Sequence, residues 1–213
     1  MDETQTTINS YNLNAIAYAD KFMDHKPYEK QVKAFAQLLA SGDSILEIGC
    51  GPGNVAKQML AVKPFQFTGF DLSAEMVKLA SANAPSGKFF RQDVRLAEFD
   101  ESSFDAVMLS FSIVHLTDVE AYKLLNKAII WTKENGRLFV SFMEGKTAGF
   151  EQTSFSRQPI YFNYFAKDRI GGFLEDHGIK ISYCVQQDYQ ETDGTITKDI
   201  FIFVQKSLSM CCM

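Results

Sequence analysis

Three glycines at alternate positions, Gly49, Gly51 and Gly53, stand where a short apolar run ends and a helical pattern begins. The apolar run, residues 45–48, contains one acid, Glu47. Glycine has no Cβ, so its backbone can adopt positive φ and lets a ligand approach the main chain closely. The pattern therefore predicts a strand that turns tightly into a helix, with a nucleoside-bearing cofactor beside the turn.

A second acid stands at the distance that such a cofactor requires. The next apolar run, residues 65–70, ends in Asp71, eighteen residues after Gly53. A carboxylate at the end of the second strand can accept hydrogen bonds from ribose hydroxyls. The spacing fits a cofactor with a free ribose diol.

These residues resemble the first motif of the class I S-adenosylmethionine-dependent methyltransferases, acidic-x-Gly-x-Gly-x-Gly, at all four motif positions from Glu47 to Gly53. Asp71 stands where that family has its ribose-binding acid, and Asp93 stands where it has an acid beside the adenine amino group. Residues 103–110 look like the family's fourth strand. The resemblance covers about residues 40–206 and implies S-adenosylmethionine as the cofactor.

The resemblance assigns a cofactor-binding role to residues near the carboxyl ends of the strands, namely Glu47, Gly49, Gly51, Gly53, Asp71, Leu72, Met76, Asp93, Val94 and Ser110. The glycines would line the methionine half of the cofactor, and Leu72 and Met76 would flank the adenine. Glu47 has two interpretations: it meets the cofactor's amino group, or it only fixes the glycine loop.

Methyl transfer from a sulfonium is a direct displacement, so it needs positioning and a dry site more than it needs dedicated chemistry. A base is required only when the acceptor must lose a proton. His115 follows the predicted fourth strand and is the candidate base. The alternative is a buried histidine with a structural role.

Aromatic residues are the candidates for an acceptor pocket that excludes water. The predicted pocket residues are Tyr11, Tyr18, Phe111, Arg157, Tyr161 and Tyr164. Aromatic faces attract cations, and an arginine can pair with a carboxylate or phosphate. The alternative is that the aromatic residues belong to the core and that Arg157 is a solvated charge.

The net charge of the chain and the absence of two sequence motifs restrict the class of methyl acceptor. The net charge of −5 and the lack of a Lys/Arg run argue against nucleic acid. The Asn/Asp-Pro-Pro-aromatic tetrad of the family's DNA and protein-glutamine methyltransferases is absent after the fourth strand, as is a Pro-Cys nucleophile. We expect a small-molecule acceptor and a monomer or homodimer.

The compartment is predicted from cysteine usage and from the N-terminal residues. Cysteines 50, 184, 211 and 212 form neither a disulfide framework nor a zinc spacing, so no metal is expected. The N-terminal residues lack a basic and apolar signal pattern, and no window approaches a membrane span. We expect a cytoplasmic protein that does not contact a membrane.

Hydrophobic periodicity and turn residues predict an α/β fold. The predicted helices are 8–23, 27–40, 54–62, 73–83, 118–133 and 167–177, and the predicted strands are 44–49, 66–71, 88–92, 103–110, 136–143, 179–189 and 196–205. Their order indicates a Rossmann-like, doubly wound sheet of seven strands, mostly parallel, with an antiparallel last strand paired across a turn at Asp193–Gly194.

The chain is expected to be a single domain over residues 1–213. Its parts are a helical cap over 1–40, a cofactor-binding core over 41–143, an irregular substrate loop over 144–166, and a helix with a hairpin over 167–206.

Two other functions share part of this pattern. An NAD-dependent oxidoreductase would carry Gly-x-Gly-x-x-Gly, but Asn54 stands where its last glycine would fall. A non-catalytic regulator or partner subunit that binds S-adenosylmethionine would keep the same motifs, and the sequence leaves that alternative open.

Overall fold

Helices and strands alternate along most of the chain. The computed structural model describes residues 3–191 and 194–207. Its α-helices are α1 Glu3–Phe22, α2 Lys26–Gln37, α3 Asn54–Val62, α4 Ala74–Asn83, α5 Asp118–Trp131 and α6 Lys167–Asp176, and a 3-10 turn spans Ile113–His115. Its strands are β1 Ser44–Ile48, β2 Gln66–Asp71, β3 Lys88–Arg91, β4 Phe104–Ser110, β5 Thr132–Glu144, β6 Gly149–Glu151, β7 Ile160–Phe162, β8 Ile179–Gln190 and β9 Ile196–Lys206.

Seven strands form one sheet in the order β3-β2-β1-β4-β5-β9-β8. The first five positions are joined by parallel pairs, and β9 is antiparallel to both of its neighbours. The order reverses between β1 and β4, where an open α/β sheet forms its ligand crevice. The predicted Rossmann-like fold is confirmed.

Helices cover both faces of the sheet because the central strands are apolar along their whole length. In β4, Val107 and Leu109 contact a cluster that includes Trp131 of α5. The intervening Ala106 and Met108 face the opposite cluster, which contains α2 and α3. Alternate side chains of one strand thus anchor the two helical layers.

The terminal hairpin places the last strand inside the sheet. β9 lies between β5 and β8, so β8 forms the edge. The predicted turn includes Asp193, which lies outside the described residues, as do Cys211 and Cys212.

The segment predicted as an irregular substrate loop, residues 144–166, contains regular structure. β6 and β7 pair antiparallel in a small separate sheet, with Phe150 opposite Tyr161. These strands have three residues each, too short for a periodic signal.

The N-terminal helix also begins earlier than predicted, at Glu3 instead of Ile8. Its backbone departs from helical geometry at Asn14, whose side-chain amide donates to the carbonyl of Ser10. Tyr11 and Tyr18 of this helix, both predicted as pocket residues, face the cavities described below, and Ala15 between them is buried.

We predict that Gly53→Ala lowers the free energy of unfolding by about 2–4 kcal/mol, from backbone strain and overpacking together. Gly53 has φ +82°, and an added Cβ would lie 2.9 Å from the Cα of Ala80 in α4. Urea unfolding followed by circular dichroism measures the change.

Gly172→Ala is the matched control, because it changes a glycine inside α6 whose added Cβ would meet no atom within 4 Å. This control should raise the stability by about 0.5–1 kcal/mol through helix propensity. Equal effects of the two substitutions would contradict the tight packing of α3 on α4.

Candidate functional site

The glycine loop after β1 is tied to the end of β2 by backbone hydrogen bonds. The amides of Gly49 and Cys50 both donate to the carbonyl of Phe70, at 2.8 and 2.9 Å. The amide of Gly51 donates to Oδ2 of Asp71 at 3.0 Å. This arrangement brings the two predicted acids and the loop into one crevice.

The three glycines of the motif have different surroundings, although all have positive φ. A Cβ on Gly49 would lie 2.8 Å from the Cβ of Ser112. A Cβ on Gly51 would meet no atom closer than 3.9 Å, so this residue opens onto free space. Gly53 packs α3 against Ala80 of α4 and does not line a cavity, which corrects its predicted place beside the cofactor.

Glu47 lies beneath the loop and is 1% exposed. Its Oε2 has no hydrogen-bond partner among the described residues, and neither does Oγ of Ser112. Burial, and secondarily the charge of Asp71, raise the pKa of the Glu47 carboxyl well above its usual value. Buried polar atoms without partners are rare; in the described part of the chain Oε1 of Gln58 in α3 is a third, and Ser112, which packs beside Gly49, is the one placed to meet a ligand at the loop.

Asp71 is held by the loop as well as facing the crevice. In addition to the Gly51 amide, the amide of Ser73 donates to Oδ1 at 2.8 Å. Burial raises the pKa of Asp71, while the backbone hydrogen bonds from Ser73, Gly51 and Leu72 lower it. The carboxylate has further lone pairs for ligand hydroxyls.

A cavity of about 770 Å³, here called the first cavity, opens at this crevice. It is lined by predicted residues Tyr11, Tyr18, Gly49, Gly51, Asp71, Leu72, Met76, Asp93, Val94, Ser110, Phe111 and His115. Its lining also includes residues that the sequence analysis missed, namely Thr4, Thr7, Ile8, Arg95, Ser112 and Leu116. Ile8 lies three residues before Tyr11 on the same face of α1, so a periodicity search extended toward the N-terminus would have found it, whereas the polar Thr4 carries no apolar signal.

Arg95 fixes Asp93 at the rim of the first cavity. Its Nε and Nη2 donate to the two carboxylate oxygens at 3.0 and 2.7 Å, and Nη1 donates to Oγ1 of Thr4. The bonds from Arg95 lower the pKa of Asp93. Arg95 therefore joins the loop after β3 to the start of α1.

His115 has both ring nitrogens engaged. Nδ1 lies 2.9 Å from the carbonyl of Tyr161, and Nε2 lies 2.9 Å from the hydroxyl of Tyr11. A carbonyl only accepts, so Nδ1 carries the proton and Nε2 accepts from Tyr11. Burial lowers the pKa of His115 to about 4, against the opposing effect of the Tyr161 carbonyl. The ring is therefore a neutral acceptor at pH 7.

A second cavity of about 780 Å³ adjoins the first. Tyr11, Tyr18, Phe111 and His115 line both cavities and form the partition between them. The remaining lining of the second cavity consists of Lys21, Phe22, Tyr28, Val114, Met143, Glu151, Gln152, Thr153, Ser154, Phe155, Phe162, Tyr164, Tyr189, Glu191 and Asp199. Seven of these residues belong to segment 144–166, which was predicted as the substrate loop, whereas Tyr28, Tyr189 and Asp199 come from distant elements that no sequence signal joined to it.

Three predicted pocket residues occupy different positions. Tyr164 lines the second cavity, where its hydroxyl donates to Oε1 of Glu151 at 2.7 Å. Tyr161 lines neither cavity and contributes its backbone carbonyl to His115 instead. Arg157 is exposed and also lies outside both cavities, which corrects its predicted role.

Helix α1 and the β6–β7 segment together cover both cavities. Oγ of Ser10 lies 2.8 Å from Oγ of Ser156, and the amide of Tyr161 donates to Oγ1 of Thr7. Lys21 donates to the hydroxyl of Ser154. A ligand that enters from this side must displace the two elements together.

Comparisons with known proteins agree on the kind of domain. The family model described as "Methyltransferase domain" matches residues 45–136. A Bacillus subtilis (strain 168) protein named "Putative methyltransferase YqeM" is 36% identical over 93 residues, which cover 42% of this chain and 37% of that protein. Phosphoethanolamine N-methyltransferase 2 of Caenorhabditis elegans is 26% identical over 79% of this chain and 39% of its own length. The chain thus spans about two fifths of these curated relatives.

Solved structures share the fold. Magnesium protoporphyrin IX methyltransferase from Synechocystis PCC 6803, crystallised with S-adenosylhomocysteine, superposes with a TM-score of 0.72 at 16% identity, over 97% of this chain and 100% of the other. At this identity the similarity establishes the fold alone.

No helix in residues 3–191 or 194–207 is long and apolar enough to cross a membrane.

We predict that the stability conferred by His115 depends on pH. In the unfolded chain the ring protonates near pH 6.5, whereas the folded chain resists protonation down to about pH 4. As pH falls through this window, the native state should lose about 3 kcal/mol relative to His115→Gln. Urea unfolding of both proteins from pH 7 to pH 4 measures the difference.

His177→Gln is the control. It changes an exposed histidine that directly follows α6. A stability difference between wild type and His115→Gln that stays constant over the window would contradict the burial of a neutral ring.

Proposed function

We propose that this chain, whose residues 45–136 match a family model described as "Methyltransferase domain", is a class I S-adenosylmethionine-dependent methyltransferase that transfers the methyl group to a small-molecule acceptor. The observation that carries the proposal is the first cavity, which Gly49, Gly51 and Asp71 line at the switch point of the sheet, while the predicted acid Glu47 is buried outside its lining. The acceptor, the atom that is methylated and any partner belong to the proposal.

The residues around the first cavity fit the cofactor. Gly51 leaves open space beside the loop, and the partnerless Oε2 of Glu47 suits a cationic amino group. Asp71 would hold the ribose hydroxyls, Leu72 and Met76 would flank the adenine, and Asp93 would lie toward its amino group.

S-adenosylmethionine, when bound, supplies a methyl group on a positively charged sulfur that a nucleophile displaces directly. The protein's own contribution is positioning and the exclusion of water. The partition residues Tyr11, Tyr18 and Phe111 are placed between the cofactor side and the second cavity. We therefore assign the second cavity to the acceptor, and two adjoining cavities favour an enzyme over a non-catalytic binding protein.

An acceptor that must lose a proton can transfer it to the Tyr11–His115 pair. The phenol oxygen of Tyr11 accepts the proton while the Tyr11 proton passes to Nε2 of His115. The Tyr161 carbonyl, which accepts from Nδ1, then stabilises the charged ring. This path gives His115 the role of base through Tyr11.

The setting of the protein is also part of the proposal. Cys50 and Cys184 are free thiols, which supports a reducing, cytoplasmic compartment. We propose a monomer or homodimer built around one methyltransferase domain.

We predict that Gly51→Ala weakens the binding of S-adenosylhomocysteine by about tenfold or more. The added methyl projects into the open space beside the loop, where the cofactor would pass. Isothermal titration calorimetry measures the affinity, and methyl transfer from labelled S-adenosylmethionine to a broad acceptor panel tests the activity.

Gly178→Ala is the matched control. Gly178 has φ +72° and an unobstructed Cβ position, like Gly51, but it lies outside both cavities. It should show similar backbone strain and unchanged affinity. Wild-type affinity in a folded Gly51→Ala protein would place the cofactor elsewhere, and no binding by wild type would overturn the proposed function.

We also predict that S-adenosylhomocysteine slows hydrogen exchange in α1 and in residues 146–166, because bound ligand stabilises the closed cover. The protection should reach about 100-fold when the ligand is at 100 times its Kd. Mass spectrometry of exchanged peptides measures it, with α6 as the reference helix. Equal protection of α6 would indicate global stabilisation, and unchanged exchange in the cover would exclude its closure.

A further inference from the structure

We propose that the second cavity recognises an acceptor carrying a positively charged amino group, which the carboxylate of Asp199 binds within an aromatic enclosure. The inference rests on the proposed function and specifies the substrate class of the same site. Three observations support it: the second cavity has more acidic than basic groups, Asp199 is buried without a cation, and aromatic rings line the cavity.

The second cavity has more acidic than basic groups. Glu151, Glu191 and Asp199 line it. Lys146 lies 3.1 Å from Glu151 and 4.0 Å from Glu191, so one ammonium serves two carboxylates. Lys21, the basic residue of the lining, donates to Ser154 and Tyr189. Three carboxylates therefore face two ammonium groups.

Asp199 is the carboxylate that lacks a cation. It is 3% exposed, and within the described residues it takes part in no ion pair. The hydroxyl of Tyr28 donates to its Oδ2 at 2.8 Å. A buried carboxylate held by one neutral donor is poorly compensated, and a cationic ligand would compensate it.

Aromatic rings form the wall beside this carboxylate. Tyr28 stacks on Phe111 with centroids 4.9 Å apart and lies 5.8 Å from Phe201. Phe22 stacks on Tyr28 at 6.4 Å and lies 4.7 Å from Tyr18, which in turn lies 5.1 Å from Phe155. Aromatic faces attract ammonium groups, most strongly where water is excluded. A carboxylate within such an enclosure selects an amine over an alcohol or an acid.

The position of Tyr28 links this site to the cofactor side. Tyr28 stacks on Phe111, which also lines the first cavity. Burial raises the pKa of Asp199 to about 7, with a further contribution from the charge of Glu191 and an opposing one from the Tyr28 hydroxyl. The carboxylate thus lacks, in the free protein, the stabilisation that an ammonium ligand would supply.

The test uses matched probes on protein saturated with S-adenosylhomocysteine. Tyramine is compared with tyrosol and 4-hydroxyphenylacetate, which replace its amine by an alcohol and a carboxylate, and hexylamine is compared with hexanol. Binding is measured by calorimetry. In wild type we expect each amine to bind about tenfold or more tightly than its counterparts.

Asp199→Asn should remove this preference, because the amide keeps the shape and can accept from Tyr28 but carries no charge. Asp188→Asn is the matched control, since Asp188 lies on the neighbouring strand β8, is exposed and lines neither cavity. Affinity for S-adenosylhomocysteine should be unchanged in both variants, which also verifies that they are folded.

Each outcome decides the proposal. An equal or reversed order of the probes in wild type, or an amine preference that survives Asp199→Asn, overturns it. A wild-type protein that binds S-adenosylhomocysteine but shows no amine preference refutes the amine site and leaves the methyltransferase proposal intact. A wild-type protein that does not bind S-adenosylhomocysteine refutes the proposed function itself.

Discussion

The hydrogen bonds that join the glycine loop to the end of β2 are the constraint on which the site depends. Two amides share the carbonyl of Phe70, and a third binds the carboxylate of Asp71. A loop held this way must adopt positive φ at Gly49 and Gly51, which only glycine does without strain. The same bonds place Glu47 beneath the loop, out of water and without a hydrogen-bond donor for Oε2 among the described residues.

The cover of the site combines aromatic contacts, in which Phe155 packs against Tyr11 and Tyr18 of α1, with polar contacts. Thr7 and Ser10 of α1 are buried against Ser156 and the backbone of Tyr161 through hydrogen bonds. Each such bond contributes only about 1 kcal/mol net, because water replaces it when the elements separate. The sheet can therefore stay rigid while α1 and the β6–β7 segment move over the ligand.

The framework was predictable because its signals are local and periodic. β2 and α3 have the predicted bounds, because the apolar run of residues 65–70 ends in Asp71 and Gly53 precedes a helical pattern. The strands β6 and β7 were missed because three residues carry no period. The start of α1 was missed because Thr4 and Thr7 are polar and interrupt the apolar pattern of the helix. Both line the first cavity, and Thr7 also accepts from the amide of Tyr161.

Site residues were predictable only where a motif places them. The surroundings of Gly49, Gly51 and Asp71 follow from one loop, whereas Gly53 turned out to serve helix packing. Arg157 and Tyr161 were misplaced because the sequence does not show how the β6–β7 segment packs: Arg157 is exposed, and Tyr161 lies in β7 with its amide bound to Thr7 of α1. Asp199 and Tyr28 are 171 positions apart and have no common sequence signal. Whether the lining residues bind cofactor remains a prediction.

The place of β9 in the sheet has a consequence for synthesis on the ribosome. β8 pairs with β9 and not with β5, so the nascent edge strand has no partner in the sheet until β9 has left the exit tunnel. Until then β5 presents an open edge with its apolar side chains exposed, a surface prone to association. Asp199 arrives on that same strand. Closure of the sheet and completion of the second cavity are therefore a single late event, and a nascent chain cannot acquire one without the other.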